Sequence, residues 1–187
     1  MDENLGLPMV NCTKWTIFLI LEKKILLAAI LEFSNNCNFW KYNALLYGLS
    51  KKRLNKLQLV QNCAARLVSG VKKYDHITPV LKSLHWLPIA RRIEFKILVL
   101  TFKGLNGLAP SYITELLSPY KPAKSLRSKN QHLLSKAKMK CKTFGERSFS
   151  AAAPKLWNNL PLNLRSCSKL ETFKKELKTH LFRQAYD

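Results

Sequence analysis

The chain has 187 residues, with 32 Lys+Arg against 11 Asp+Glu and a formal net charge of +21. Its hydrophobic fraction of 47% is too high for a disordered basic tail, and the charge surplus is too large for an ordinary neutral metabolic enzyme. At this length one domain, or one domain with an appendage, is expected, and it can bury on the order of 70% of its unfolded surface.

Residues 1–42 read as an amino-terminal extension unlike the rest. Residues 1–50 carry Lys14, Lys23, Lys24 and Lys41 against Asp2, Glu3, Glu22 and Glu32, so the whole +21 resides after them. Ile17–Leu31 is apolar but is interrupted by Glu22, Lys23 and Lys24, which argues against a membrane span. The start before it, with Asp2 and Glu3, is a poor signal peptide. Ser34-Asn35-Asn36 reads as a turn.

From residue 43 the pattern becomes regular. Lys51–Val68 reads as an amphipathic helix, with Leu54, Leu57, Ala64, Leu67 and Val68 on one side and Gly70 as its stop. Thr78-Pro79 reads as an N-cap and first helical position, opening a short helix before Pro88. Arg91–Lys103 reads as a helix along Ile93, Ile97, Leu100 and Gly104, with Gly104 and Gly107 breaking it. Pro110–Leu117 is a short helix closed by Pro119.

The segment 118–145 has no long period and is strongly basic. Between Glu115 and Glu146 there is no acid, while Lys121, Lys124, Arg127, Lys129, Lys136, Lys138, Lys140 and Lys142 accumulate. Such a run repels itself unless a polyanion is near, and nucleic acid is the polyanion that basic patches most often meet. Weak alternation in His132–Lys142 leaves room for a short β-hairpin near residues 130–144. Lys136, Lys138, Lys140 and Lys142 would then form one row of cations. With Arg147 these bases are the candidate nucleic-acid contacts. An anionic membrane surface fits less well, because the run has no interleaved apolar stripe.

Glu146–Asn159 reads as a helix that contains Pro154. Ser168-Lys169-Leu170-Glu171 reads as a capping box opening a last helix, whose apolar stripe is Leu170, Phe173, Leu177 and Leu181. The expected fold is therefore mainly α, a small multi-helix domain over residues 43–187.

Catalytic chemistry finds no support. The only aspartates are Asp2, Asp75 and Asp187, so the folded part offers no adjacent carboxylate pair for two metal ions. There is no phosphate-binding glycine loop, His-Glu-x-x-His or nucleophile elbow. Asp75-His76 is better read as a turn than as a dyad. Trp86 and Trp157, set among leucines and prolines, are better read as core anchors than as base-stacking residues. Five scattered cysteines and four scattered histidines give no zinc spacing, and the odd cysteine number fits a reducing compartment. No metal and no cofactor is expected.

A series of motifs then stands out: Asn43-Ala44-Leu45-Leu46-Tyr47-Gly48-Leu49, Leu57-Gln58-Leu59-Val60-Gln61-Asn62, Asp75-His76-Ile77-Thr78-Pro79 and Leu84-His85-Trp86-Leu87-Pro88. Arg92-Ile93-Glu94-Phe95-Lys96, Ala151-Ala152-Ala153-Pro154-Lys155-Leu156-Trp157-Asn158 and Phe173-Lys174 follow. In this order they resemble the carboxy-terminal region of reverse transcriptase polyproteins from LINE-type (non-long-terminal-repeat, jockey-like) retrotransposons, over about residues 43–183. The resemblance implies a tail that packs behind a polymerase core and helps to hold template RNA or target DNA. The family's metal-binding aspartates lie upstream of the matched region, so no catalytic residue carries over. Trp40-Lys41-Tyr42-Asn43 stands where the family has an Asp-Tyr-Cys-Asn-like stretch, which suggests a decayed or re-started copy.

The expected function is non-catalytic binding of an RNA or DNA backbone, without sequence preference, in the cytoplasm or nucleus. Polymerase domains of a related element are a further expected partner. The alternative is a structural module that packs on a polymerase core or on another copy and binds no nucleic acid.

Overall fold

The computed structural model describes residues 43–120, 122, 131–137 and 145–187. Among them the chain is mainly helical. A 3-10 turn, Asn43–Leu46, precedes α1 (Lys51–Ser69), α2 (Ile77–Ser83), α3 (Ile89–Leu105), α4 (Ser111–Thr114), α5 (Phe149–Asn158), α6 (Leu162–Arg165) and α7 (Leu170–Tyr186).

Helix α3 is the axis of the fold. Ile89, Ile93, Ile97, Leu98, Thr101, Phe102 and Gly104 are buried, which spans more than half of its circumference. It contacts α7, α5, α1, α4 and the 3-10 turn. Phe102 stacks on Phe173 of α7 at 4.4 Å between ring centroids, and Trp157 of α5 lies 5.8 Å from the same Phe173 ring. The expected stripe of α7 is realised, with Phe173, Leu177 and Leu181 buried and Leu170 half-buried against the core. A second, smaller cluster joins Ala65, Val80 and Leu81 with the half-buried Trp86 and Tyr186.

Polar side chains of α1 set the start of α3. The Ile89 N–H donates to Gln58 Oε1 at 3.0 Å, so α1 satisfies one of the orphan donors of the α3 amino terminus. Gln61, one helical turn on, is buried and donates to the Leu87 carbonyl at 2.9 Å. That lets α3 begin at Ile89, directly after Pro88, two residues before the expected Arg91. Gln61 and Ala65 are the buried residues of α1, and Leu54 and Leu57 of the expected stripe are half-buried against the larger cluster. Leu67 faces outward at 52% exposure. Gly70 ends α1 in the left-handed conformation (φ 66°), as its position predicts.

Several expected boundaries move for identifiable reasons. Helix α2 starts at Ile77 with His76 as its cap, not Thr78. Pro79 still falls within the first turn, where a missing N–H breaks no intrahelical bond. Gly104 does not break α3. It lies inside the helix, where a Cβ would come within 2.7 Å of Leu117 Cδ1, and the reversal occurs at Gly107 (φ 69°). Helix α4 is shorter than Pro110–Leu117, with Pro110 itself at the cap. Helix α5 begins at Phe149 and carries Pro154 buried inside it. The capping box does not form: α7 starts at Leu170 with Lys169 at the cap, and Glu171 pairs with Lys174 at 2.7 Å instead.

Candidate nucleic-acid interface

Most of the expected contact residues lie outside the described residues: Lys121, Lys124, Arg127, Lys129, Lys138, Lys140 and Lys142. The same holds for the 138–144 arm of the expected hairpin. What is described is the pair of backbone stretches that flank part of the basic run in sequence. Leu134 forms an antiparallel bridge with Pro119. The Tyr120 N–H donates to the Leu133 carbonyl at 2.9 Å, and the Ser135 N–H donates to the Ser118 carbonyl at 2.8 Å.

The stretch around Leu134 is fastened to α5. Asn158 clasps Leu134 twice, accepting from its N–H at 2.9 Å and donating to its carbonyl at 2.8 Å. Trp157 Nε1 donates to the His132 carbonyl at 2.8 Å while the indole is 1% exposed in the core. His132 adopts φ 51°, a left-handed conformation uncommon outside glycine, though histidine takes it more readily than most residues. The Trp157-Asn158 pair thus fixes His132 and Leu134 against α5. Lys136, just beyond the clasp, is exposed. Arg147 is an exposed residue, and its stem packs against Gly48 so closely that a Cβ there would strike Arg147 Cγ.

A second set of cations lies on the folded helices. Arg92, Lys96 and Lys103 recur at spacings of four and seven residues, on the side of α3 away from its buried residues. Lys174 joins them from α7. Burial, followed by the charges of Lys103 and Lys174, holds the Lys96 ammonium below its usual range. At the amino-terminal end of the row, Arg92 Nε donates to the Leu87 carbonyl at 2.8 Å, and its guanidinium lies 5.8 Å from the Trp86 ring centroid. Burial pushes the Arg92 guanidinium down to about 10, opposed by Tyr186. Lys82 Nζ lies 5.8 Å from the Tyr186 ring centroid beside it.

Two ion pairs occur among the described residues, Arg91–Glu94 and Lys174–Glu171, each at 2.7 Å. Like charge from Lys103 and Lys174 disfavours the Lys96 ammonium, and an arriving anion would relieve that cost. Spacing on α3 carries the signal for this row, since its acid, Glu94, belongs to a different face. The more conspicuous lysine run overshadows it in the sequence.

Other chemistry is poorly served among the described residues. An open depression lined by Asn163, Ser166, Cys167, Ser168, Lys169, Thr172 and Glu176 contains the one thiol near a carboxylate. Burial, a hydrogen bond to Glu176 and the Glu176 charge all push the Cys167 thiol up, away from the nucleophilic thiolate. No group of His, Cys, Asp and Glu side chains is placed to hold a metal ion among the described residues. No described helix is long and apolar enough to cross a membrane. Asp75 and His76 form a helix-entry turn, with the Asp75 carboxylate accepting from the Lys72 N–H at 3.2 Å.

No family model, no curated protein and no solved structure matches the chain.

Proposed function

We propose that this chain is a non-catalytic, basic carboxy-terminal region of a LINE-type retrotransposon reverse transcriptase, and that it holds RNA or DNA by the phosphate backbone. The motif series from residue 43 onward supports the origin. The observation that carries the binding reading is the crowding of Lys96 with Lys103 and Lys174, where burial and like charge depress the Lys96 pKa. In this reading the row contacts successive phosphates. Lys136, Arg147 and the lysine run from 121 to 142 add further contacts in this reading. Binding of this kind is sequence-tolerant and needs no cofactor.

The test is a salt titration of binding to single-stranded RNA and to duplex DNA. Each phosphate contact contributes roughly −0.9 to the slope of log K against log salt on duplex DNA and roughly −0.7 on a single strand. Replacing Lys96, Lys103 and Lys174 by glutamine should make that slope shallower by about two to three. Glutamine at Lys136, Lys138, Lys140 and Lys142 tests the run separately. A flat salt dependence in the unaltered protein would end the reading. Metal-dependent primer extension by the purified chain would end its non-catalytic part.

A further inference from the structure

We propose that the outward face of α1 docks an acidic amphipathic helix of a partner protein. The inner face of α1 is spent on Gln58, Gln61 and Ala65, which meet the start of α3 and the second cluster. Opposite them, Leu59, Val60 and Leu67 are 63%, 66% and 52% exposed. Cys63 is exposed between them. Residues 59, 60, 63 and 67 share one side of a helix over two turns, so these side chains form a single strip rather than scattered apolar exposure.

The same side continues toward the amino terminus as Lys52 and Lys56, both exposed, with Arg53 beside them. Helix α1 contains no acidic residue along Lys51–Ser69. The face is thus apolar in its second half and cationic in its first. A phosphate backbone would match the lysines but leave Leu59, Val60 and Leu67 uncovered. A second copy of a chain with a net charge of +21 would bring like charges together. A helix with leucines on one side and glutamates beside them satisfies both halves, in the groove-and-helix manner of peptide recognition. This docking is independent of the cationic row on α3 and α7.

The experiment uses the full chain and a labelled helical peptide of leucine and glutamate, its leucines at i, i+3, i+4 and i+7. A scrambled peptide of the same composition controls for bulk charge attraction. Saturable binding of the patterned peptide, several-fold tighter than the scrambled one, is expected. The double variant Leu59→Lys and Leu67→Lys should weaken it by about tenfold or more, since it removes two of the three large apolar side chains of the strip and puts charge at both of its ends. Both positions are exposed, so the variant should retain its helical circular dichroism, and its RNA binding should not fall. Equal binding of the two peptides, or of protein and variant, would overturn the proposal. So would self-association of the unaltered chain that the variant abolishes, or binding to phosphatidylserine vesicles that is lost with the same substitutions while peptide binding remains.

Discussion

The two apolar clusters of this molecule are built from different materials. The larger one stacks Phe102, Phe173 and Trp157, each 1% exposed or less, and draws them from α3, α7 and α5. The smaller one contains Ala65, Val80 and Leu81 and is closed by polar contacts at its margin. Tyr186 Oη donates to the Trp86 carbonyl at 2.6 Å, joining the last turn of α7 to the loop before α3. Arg66 Nη2 donates to the Asp75 carbonyl at 3.0 Å, while its other terminal nitrogen is buried without a hydrogen bond. Large aromatic surfaces fix the global topology, because they are interlocked across distant parts of the chain. The smaller cluster depends on a few hydrogen bonds, each worth about 1 kcal/mol, and should open first.

That contrast can be broken by experiment. The largest effect is expected from Phe173→Ala, which removes the ring shared by Phe102 and Trp157. It should cost about 3–5 kcal/mol in urea unfolding, a large part of the stability of a small domain. A loss near 1 kcal/mol would mean that the stack is not the centre of the fold. Tyr186→Phe should cost only about 1 kcal/mol. Its signature is local: faster amide exchange in α2 and the 84–87 loop, with α5 and the start of α7 unchanged. Faster exchange throughout would show that the two clusters unfold as one.

The smallest effect is a pH dependence at His180. Burial first, then the Arg91 and Arg183 charges, holds this imidazole below its ordinary 6.5. The Gln184 amide lies 3.1 Å from His180 Nε2 and suits a neutral ring that accepts there. The unfolded chain therefore takes up the proton more readily than the folded one. Stability from this group is complete above 6.5 and is lost as pH falls through 6.5 toward the lower folded value. His180→Gln should flatten that part of the stability profile between pH 7 and pH 5. An unchanged profile would show that the imidazole is solvated like an exposed one.

Much of the helical layout is legible in the sequence. The stripe of α7, the Gly70 stop and the core role of Trp157 all follow from spacing and residue type. What is not legible depends on contacts between distant residues. Gln58 and Gln61 look like surface residues of an amphipathic helix until the backbone around Leu87 and Ile89 is seen to need their amides. Gly104 looks like a stop until Leu117 is found against it. Ser168 and Glu171 satisfy the local rule for a cap, yet Lys174 takes the Glu171 carboxylate. The cations of α3 are visible as a spacing. Their crowding with Lys174 is not, because it requires α7 to lie alongside α3.

The clasp between Asn158 and Leu134 makes one side chain answerable for two distant stretches of backbone. Tyr120 and Leu133 are held by their own hydrogen bond, and Leu134 is tied to α5. Asn158 alone meets both backbone groups of Leu134, so Asn158→Ala would leave its N–H and its carbonyl unsatisfied at once and loosen the Pro119 bridge that Leu134 carries. Two stretches of chain far apart in sequence thus depend on a single amide.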